Sequence, residues 1–589
     1  MRDLWKKANE NALFLLLPMF IGHLTFILSL ITTVCVECSA SPNQADMFKN
    51  TLFSTVREWM REDFQAPTNV DSCPLESAFV CLVLRHHGKT LGYGSSTSLP
   101  EAASIAFNEV SRNKIFSMDL TEEMKNEIID SISVELEYGG TPIPSAHKNI
   151  DRFDYTFNQG MNGVAVRRGS EWGIKMQAEL RLSPFRTVSN IVESLCINLG
   201  IHPTIAFSHE LPPDDDVTLY SIPLTTYIQN SAGAEIITLI RGDELVQNET
   251  LNTAYLTKLA DSFASHLIKS TNANGMVIGG YQPETNTLTN MFATHFVQIL
   301  TANALQQYSK LSNASDSSPA MESSAVIIES IANDFKKDKN IDTESAAALI
   351  IMLLDSTSKY SQAVQELLCA CESKVMLAAE KYLDPSHTIP PAFELSLVVA
   401  ATIELGLHYE DEQLIDRGAS LCSRCFSDVP LKTRASLIPW IITPILKLQQ
   451  RGVTTFDDSL SELLQLAVSS QILTENDVDL IGGFMLITDI GNVVDARGLR
   501  MLPMLSKICD NSSSNKTIAF KSLVLATRFV EQLTTRKEKS ERYENPAMAL
   551  GGVRKSTWNA EMPTEATAMA LLGITNAITS IQNIESSMK

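Results

Sequence analysis

Beyond Thr253 the chain repeats one pattern almost without interruption. AYLTKLADSFASHLIKS, NMFATHFVQILTANALQQYSK and SAAALIIMLLDSTSKYSQAVQELLCACESKVMLAAEKYL carry apolar residues at i, i+3, i+4 and i+7, the spacing of one helical face. About twelve such stretches, roughly 14 to 22 residues each, follow one another with short turns between them. Several, such as ELSLVVAATIELGL, are apolar nearly all round, which suits a helix buried on every side. Amphipathic and fully apolar helices in alternation predict two concentric layers. The region 250–589 is therefore expected to be an all-α domain, an α/α toroid of about six hairpins, with an open α-helical solenoid as the competing arrangement.

The rest of the chain has to fold separately, because 589 residues exceed the roughly 250 to 300 that one core serves. A content of 44% hydrophobic and 20% charged residues excludes a wholly disordered chain and a polytopic membrane protein alike. The formal charge of −21 argues against nucleic acid as a partner, since phosphate binding needs clustered Lys and Arg.

The start is of another kind. MRDLWKKANE brings Arg2, Lys6 and Lys7, and LFLLLPMFIGHLTFILSLITTV then runs without an Asp, Glu, Lys or Arg. A basic start before an apolar run is an export signature, and the run reaches the roughly 20 residues that span a bilayer. Small residues at Cys38 and Ala40 offer a cleavage point. Residues 1–40 are read as a signal peptide or membrane anchor, which implies a membrane-anchored, secreted or periplasmic protein.

Residues 46–225 pattern as an α+β domain. The apolar SAFVCLVLRHHGKTLGYG leads to a helix over about 101–111, then to the strand DSISVELEY. NQGMNGVAVRRGSEWGIKMQAELRLSPFRTVSNIVESLCINLGI follows as strand, turn, strand and helix, with Gly160, Gly163 and Gly169 suited to tight turns. This order resembles the AMMECR-type family, a small α+β fold. GKTLGYG, residues 88–94, is similar to the family's Gly-bounded turn, and residues 132–138 to its next strand. Gly160, Asn162, Gly163, Val164 and Val166 are similar to its hairpin, and Leu195, Cys196 and Gly200 to the end of its closing helix. The family's Arg-Gly-Cys turn is replaced by Leu91, Gly92 and Tyr93, and its Leu-Pro-Gln segment by Lys175, Met176 and Gln177, so thiol chemistry at that turn is not implied.

Two strings of the helical region resemble those of toroids that act on sugars and uronic acids. GMVIGGYQPETNTLTNMFATHFVQILTANAL is similar to their Gly-x-Tyr loop and the helix after it, with Thr294 where an Arg precedes the His, here His295. NPAMALGGVRKSTWNAEMPTEATAMALLGI is similar to their last hairpin, with Val553 in place of an aromatic. A sugar site needs an acid–base pair and aromatic platforms at one end of the inner helices. The resemblance implies Tyr281, Glu284, His295, Arg554, Trp558 and Glu565 as candidates, gathered at one rim. Thr564 and Glu565 also have a structural reading, as the cap and first-turn anion of the last helix.

Other polar features have structural explanations. Cys81, Cys196, Cys369, Cys371 and Cys509 lie in apolar runs and read as small buried hydrophobes. The pairs Cys35/Cys38 and Cys422/Cys425 lack the second ligand pair of a zinc site. His86 and His87 are neighbours on a strand and point to opposite faces. Glu404 and His408 share a helical face, and Asp214, Asp215 and Asp216 form a solvated loop. Residues 311–324 and 536–545 read as surface loops. No phosphate loop, dinucleotide pattern or Ser-His-Asp signature stands in its required setting, and neither a cofactor nor a metal is expected.

Three functions fit. The first is an exported or anchored cell-envelope protein that binds a glycan or another protein through a toroid cleft, and the second a carbohydrate-active enzyme, an epimerase, lyase or hydrolase. The third is a helical-repeat scaffold for protein partners. A closed ring with a conical cleft or an open stack of helices separates the first two from the third.

Overall fold

The computed structural model describes residues 42–66, 79–116, 121–146, 148–150, 153, 157–182, 188–201, 211, 216–247, 252–311, 318–354, 360–474, 477–488, 491–510 and 515–587. The signal or anchor segment expected over 1–40 lies outside them, as do Cys35, Cys38, Asp214 and Asp215. Among the described residues no helix is long and apolar enough to cross a membrane.

An eight-stranded antiparallel sheet organises the first domain. β1 (Phe79–His86) lies between β2 (Lys89–Ser96) and β3 (Ser133–Gly139). The order continues through β7 (Val217–Gln229) to β5 (Asn162–Arg168) and β6 (Glu171–Lys175), while β4 (Ile143–Pro144) and β8 (Ile236–Leu239) pair with β7. The sheet thus runs past residue 225. The unbroken apolar run FVCLVL follows from burial on both faces. Val80, Leu82 and Leu84 pack with α1 (Pro42–Arg61) and α2 (Leu99–Ser111), in the core that also takes Ile129 of α3 (Glu122–Ser131). Phe79, Cys81 and Val83 pack on the other side with Met176 and with Ala178 of α4 (Gln177–Leu182). α5 (Val188–Asn198) covers Val164 and Val166 of β5. In β3, Val134 and Leu136 join the first face, and Glu135 and Glu137 stand opposite Val83 and Cys81 on the second. Period-two alternation therefore brings two carboxylates, with Arg85 two residues beyond Val83, to one buried face.

The second domain is a closed α/α ring. Its outer helices are α6 (Thr253–Lys269), α8 (Pro319–Asp338), α10 (Gln362–Leu383), α12 (Glu412–Ser427), α14 (Asp457–Ser470) and α16 (Lys516–Leu533). Its inner helices are α7 (His295–Leu311), α9 (Thr343–Leu354), α11 (Ala392–His408), α13 (Ile442–Gln450), α15 (Met501–Asp510) and α19 (Thr564–Ser587). Each inner helix packs against the next in that order, and α19 returns to α7. The stretch ELSLVVAATIELGL is α11, buried along most of its length between α9, α12 and α13. Short α17 (Lys537–Ser540) and α18 (Pro546–Ala549) fill the crossing from α16 to α19. β9 (Gly280–Gln282), β10 (Thr287–Asn290) and β13 (Met562–Pro563) tie the first hairpin to the last, and β11 (Met485–Thr488) with β12 (Gly491–Val494) forms a hairpin ahead of α15.

Several local expectations change. Ser318 caps α8 through the Met321 amide and Pro319 stands in the first turn, so 318–324 is helix rather than loop. Residues 536–545 are no surface loop: Lys539 and Arg542 are buried against partners from the connection between the domains. The Thr564 hydroxyl donates to the Ile278 carbonyl instead of capping its helix. Cys369 is exposed, whereas Cys422 and Cys425 are both buried in the helical core. Both oxygens of Glu404 accept from Lys447 Nζ at 2.6 Å, which accounts for that carboxylate without a metal.

Residues 240–247 carry the chain from sheet to ring and fasten the two together. Arg241 pairs with Asp477 at 2.8 Å and with Asp479, and Asp243 with Lys539 at 2.8 Å and with Arg554. The Val246 amide donates to Gln532 Oε1 at 2.8 Å. At the tip of the β1–β2 hairpin, Gly88 (φ +74°) lies so close to the backbone of Tyr543 that any Cβ would collide with it.

Candidate functional site

Every inner helix is entered from an outer one, so all six begin at the same end of the ring. His295, Thr343, Ala392, Ile442, Met501 and Thr564 mark that end. Helix N-termini favour negative charge, and the first turns supply it: Glu344 in α9, Glu394 in α11 and Glu565 in α19. Asp342, just before α9, accepts from the Ser345 amide at 2.7 Å and the Ser345 hydroxyl at 2.8 Å.

Glu344 is half-buried, and its pKa is raised, first by loss of solvent and then by repulsion from Glu394, Asp342 and Glu565. The Tyr382 hydroxyl, from outer helix α10, donates to Glu394 Oε1. Burial and the Glu394 carboxylate together raise the Tyr382 pKa, so that phenol keeps its proton. Beside them Phe296 meets Phe393 edge-on at 5.2 Å and Trp440 edge-on at 6.3 Å. These rings come from the starts of α7 and α11 and from the approach to α13. Trp440 Nε1 is buried without a hydrogen-bond partner among the described residues.

On the opposite side of the ring a cavity of about 290 Å3 opens between Asn290, Asp495, Arg497, Arg500, Glu561 and Glu565. Burial lowers the Arg500 pKa and Glu565 works against that shift. Arg497 and Arg500 also border a neighbouring trough of about 690 Å3, where Leu431, Met485 and Ile487 are apolar and exposed. Among the described residues no three His, Cys, Asp or Glu side chains gather as metal ligands.

The six residues proposed from sequence do not gather at one rim. His295 begins α7 and Glu565 lines the cavity, both at the open end of the ring. Glu284 and Arg554 belong instead to the contact between domains: Glu284 faces Arg85 and Arg181, and Arg554 binds Asp243. Trp558 is half-buried with its Cβ close over Gly160 of the sheet domain. Tyr281 is buried and donates to Asn286 Oδ1 at 3.0 Å within its own hairpin.

Glu344, Glu394, Tyr382, Trp440 and Arg500 were not singled out by the sequence. For Glu344 and Glu394 the signal was an acid in the first turn of a helix apolar all round, as in DTESAAALIIMLL and PAFELSLVVAATIELGL; Tyr382, Trp440 and Arg500 carried none.

No family model matches the chain, and neither does any curated protein. Among solved structures, an uncharacterised protein from Pyrococcus horikoshii is 14% identical and covers 33% of this chain and 97% of its own, with a TM-score of 0.23. An α-1,6-mannanase of Salegentibacter sp., in complex with α-1,6-mannotriose, is 10% identical and covers 55% of this chain and 99% of its own at a TM-score of 0.40. An unsaturated glucuronyl hydrolase specific for heparin is 9% identical, with 56% and 99% covered and a TM-score of 0.42. The chemistry of the cleft follows from its own residues.

Proposed function

We propose that the open end of the ring binds a glycan and acts on it by general acid–base catalysis, as a carbohydrate-active enzyme. One observation carries this reading: Glu344 is half-buried, set among other carboxylates and raised in pKa at the mouth of a closed ring. A carboxyl so held keeps its proton nearer to neutral pH and can deliver it to a leaving glycosidic oxygen. Glu394, fixed by Tyr382, is the partner carboxylate, and the half-buried Phe393, backed by the buried rings of Phe296 and Trp440, supplies an apolar edge for a sugar ring. Glycoside hydrolysis uses such a pair.

The basic start and the uncharged run after it support export or anchoring, which would bring the cleft to an envelope glycan. For the sheet domain, the motifs at 88–94 and 160–166 support an AMMECR-type fold. The exposed apolar edge at Leu431, Met485 and Ile487 supports a second reading, a protein partner in the trough.

The experiment is a screen of the purified chain against neutral and acidic polysaccharides, repeated with Glu344→Gln and Glu394→Gln. Turnover lost in both variants, with glycan binding kept, is the expected result. Turnover that survives both removes the pair from the chemistry, and capture of a protein with no glycan effect favours the second reading.

A further inference from the structure

β11 and β12 make a two-stranded hairpin on the rim of the ring, and a ribbon of that size is stable only with a face packed on something else. In its strand MLIT the alternate residues Met485 and Ile487 share a face, yet both are exposed, Ile487 by 69%. They form one wall of the trough of about 690 Å3, whose other walls come from the short helix Leu431–Leu437, the end of α14 and the start of α15. The space has the size of a ligand pocket.

Its polar lining is of two kinds. The hydroxyls of Thr433, Ser469, Ser470 and Thr488 all donate to carbonyls of their own segments, at 2.7 to 3.1 Å. Those protons are spent, and no aromatic ring lines the trough among the described residues, so it is poorly made for a sugar. Its charged lining is cationic throughout: Lys432, Arg497 and Arg500, with no Asp or Glu among the described residues. Arg497 is answered by Asp495 at 2.7 Å. Lys432 is exposed and makes no ion pair among the described residues. Neither does Arg500, whose Nε donates to the Arg497 carbonyl at 2.8 Å while Nη1 and Nη2 make no hydrogen bond among the described residues. Glu565 acts on Arg500 from the neighbouring cavity without closing a pair. Arg497 and Arg500 line that cavity as well, so the two spaces adjoin at these guanidinium groups.

We infer that the trough holds the lipid end of the glycan that the cleft receives, with an apolar chain along Leu431, Met485 and Ile487 and a phosphodiester at Arg500 and Lys432 leading to a sugar in the adjoining cavity; this rests on the glycan reading of the cleft. The chain takes the exposed apolar wall out of water. The unused nitrogens of Arg500 match phosphate oxygens. A group that links two halves and stays anionic is a phosphodiester, since a carboxylate loses its charge when esterified. A protein segment would cover the same wall, but the passage from apolar trough to polar cavity across a guanidinium fits a ligand that changes character at the same point.

The test uses the full chain, and its first probe carries no sugar. Dodecyl phosphate below its micelle concentration is expected to bind one-to-one in calorimetry, about tenfold or more tightly than the uncharged octaethylene glycol dodecyl ether. Lys432→Gln and Arg500→Gln should shrink that preference and leave the neutral tail's affinity unchanged, whereas Ile487→Asp should weaken both probes. If Arg500→Gln does not fold, Lys432→Gln and Ile487→Asp, both at exposed positions, decide. Glucosyl dodecyl phosphate is expected to bind about tenfold more tightly than dodecyl phosphate. That gain, kept in a chain that turns over no glycan, supports the trough and counts only against the acid–base pair. A phosphate that adds nothing to the tail, a sugar that adds nothing to the phosphate, or a protein held on this face that dodecyl phosphate does not displace overturns the proposal.

Discussion

Lys539 Nζ lies 2.8 Å from Asp243 Oδ2, with both side chains almost wholly excluded from water. Arg554 binds the same oxygen. One carboxylate from the interdomain connection is thus shared between two cations of the helical ring. Asp243→Asn keeps the shape and removes the charge, so two buried cations lose their partner. We expect a loss of about 3 to 5 kcal/mol, read by urea unfolding of the full chain. A loss below about 1 kcal/mol would mean that water reaches the site and screens it.

Two groups at this contact titrate near neutrality, and their signs differ. Glu137 is raised from an ordinary 4.5 to about 7, by burial and by Glu135 against the pull of Arg181, Thr226 and the Ala178 amide. Its contribution to stability is full below pH 4.5 and is lost as pH rises through 7. Lys539 is lowered from 10.5 to about 7, first by burial and then by Arg554 and Arg542, against the pull of Asp243. It holds fewer protons folded than unfolded over that window, so its contribution grows from pH 7 to 10.5. Together they predict a dip near pH 7. Thermal unfolding across pH should show Glu137→Gln flattening the acid arm and Lys539→Met the alkaline arm.

At the open end of the ring, Glu344→Gln keeps the volume of the carboxyl and removes its proton. The expected effect is a fall in kcat of roughly 10² to 10⁴ with KM little changed. Glu565→Gln removes one of the charges that raise Glu344 and should shift the alkaline limb of the pH–rate profile, where the general acid loses its proton, downward. A profile that does not move would show that the two carboxylates are not coupled.

Trp440 separates packing from binding. Its indole N–H has no partner among the described residues, so Trp440→Phe should change stability by no more than about 1 kcal/mol. If that N–H meets the ligand, glycan affinity measured by calorimetry falls by about tenfold. Equal affinity in both proteins would confine Trp440 to packing.

Gly88→Ala probes the seating of the sheet domain on the ring. Its positive φ and its contact with the Tyr543 backbone both oppose a Cβ, and a loss of about 1 to 3 kcal/mol is expected. Limited proteolysis should then cut residues 240–250 sooner than in the unaltered chain.

Much of this architecture could be read from periodicity. FVCLVL proved to be a strand covered on both faces, and ELSLVVAATIELGL an inner helix of a closed ring, because alternation and helical spacing record which faces meet apolar neighbours. Charge was harder to place. RKEKSERYEN has the composition of a solvated loop, yet Lys539 and Arg542 are buried, since Asp243 and Glu244 lie some 300 residues earlier in the chain. Glu284 and Arg554 drew notice through the turns that contain them, but their pairing with Arg85, Arg181 and Asp243 arises only when two domains meet. Glu344 and Glu394 were equally hidden, because a first-turn acid is explained by the helix dipole until several such turns converge.

The inner helix that closes the ring is also the last of the six to leave the ribosome. α19, 24 residues long, seats between α15 and α7. Until it emerges, a nascent chain presents an unclosed apolar crescent. Chaperone demand during synthesis should therefore peak before α19 appears. A premature stop only a few turns into that helix would discard the whole cleft rather than trim one edge of it.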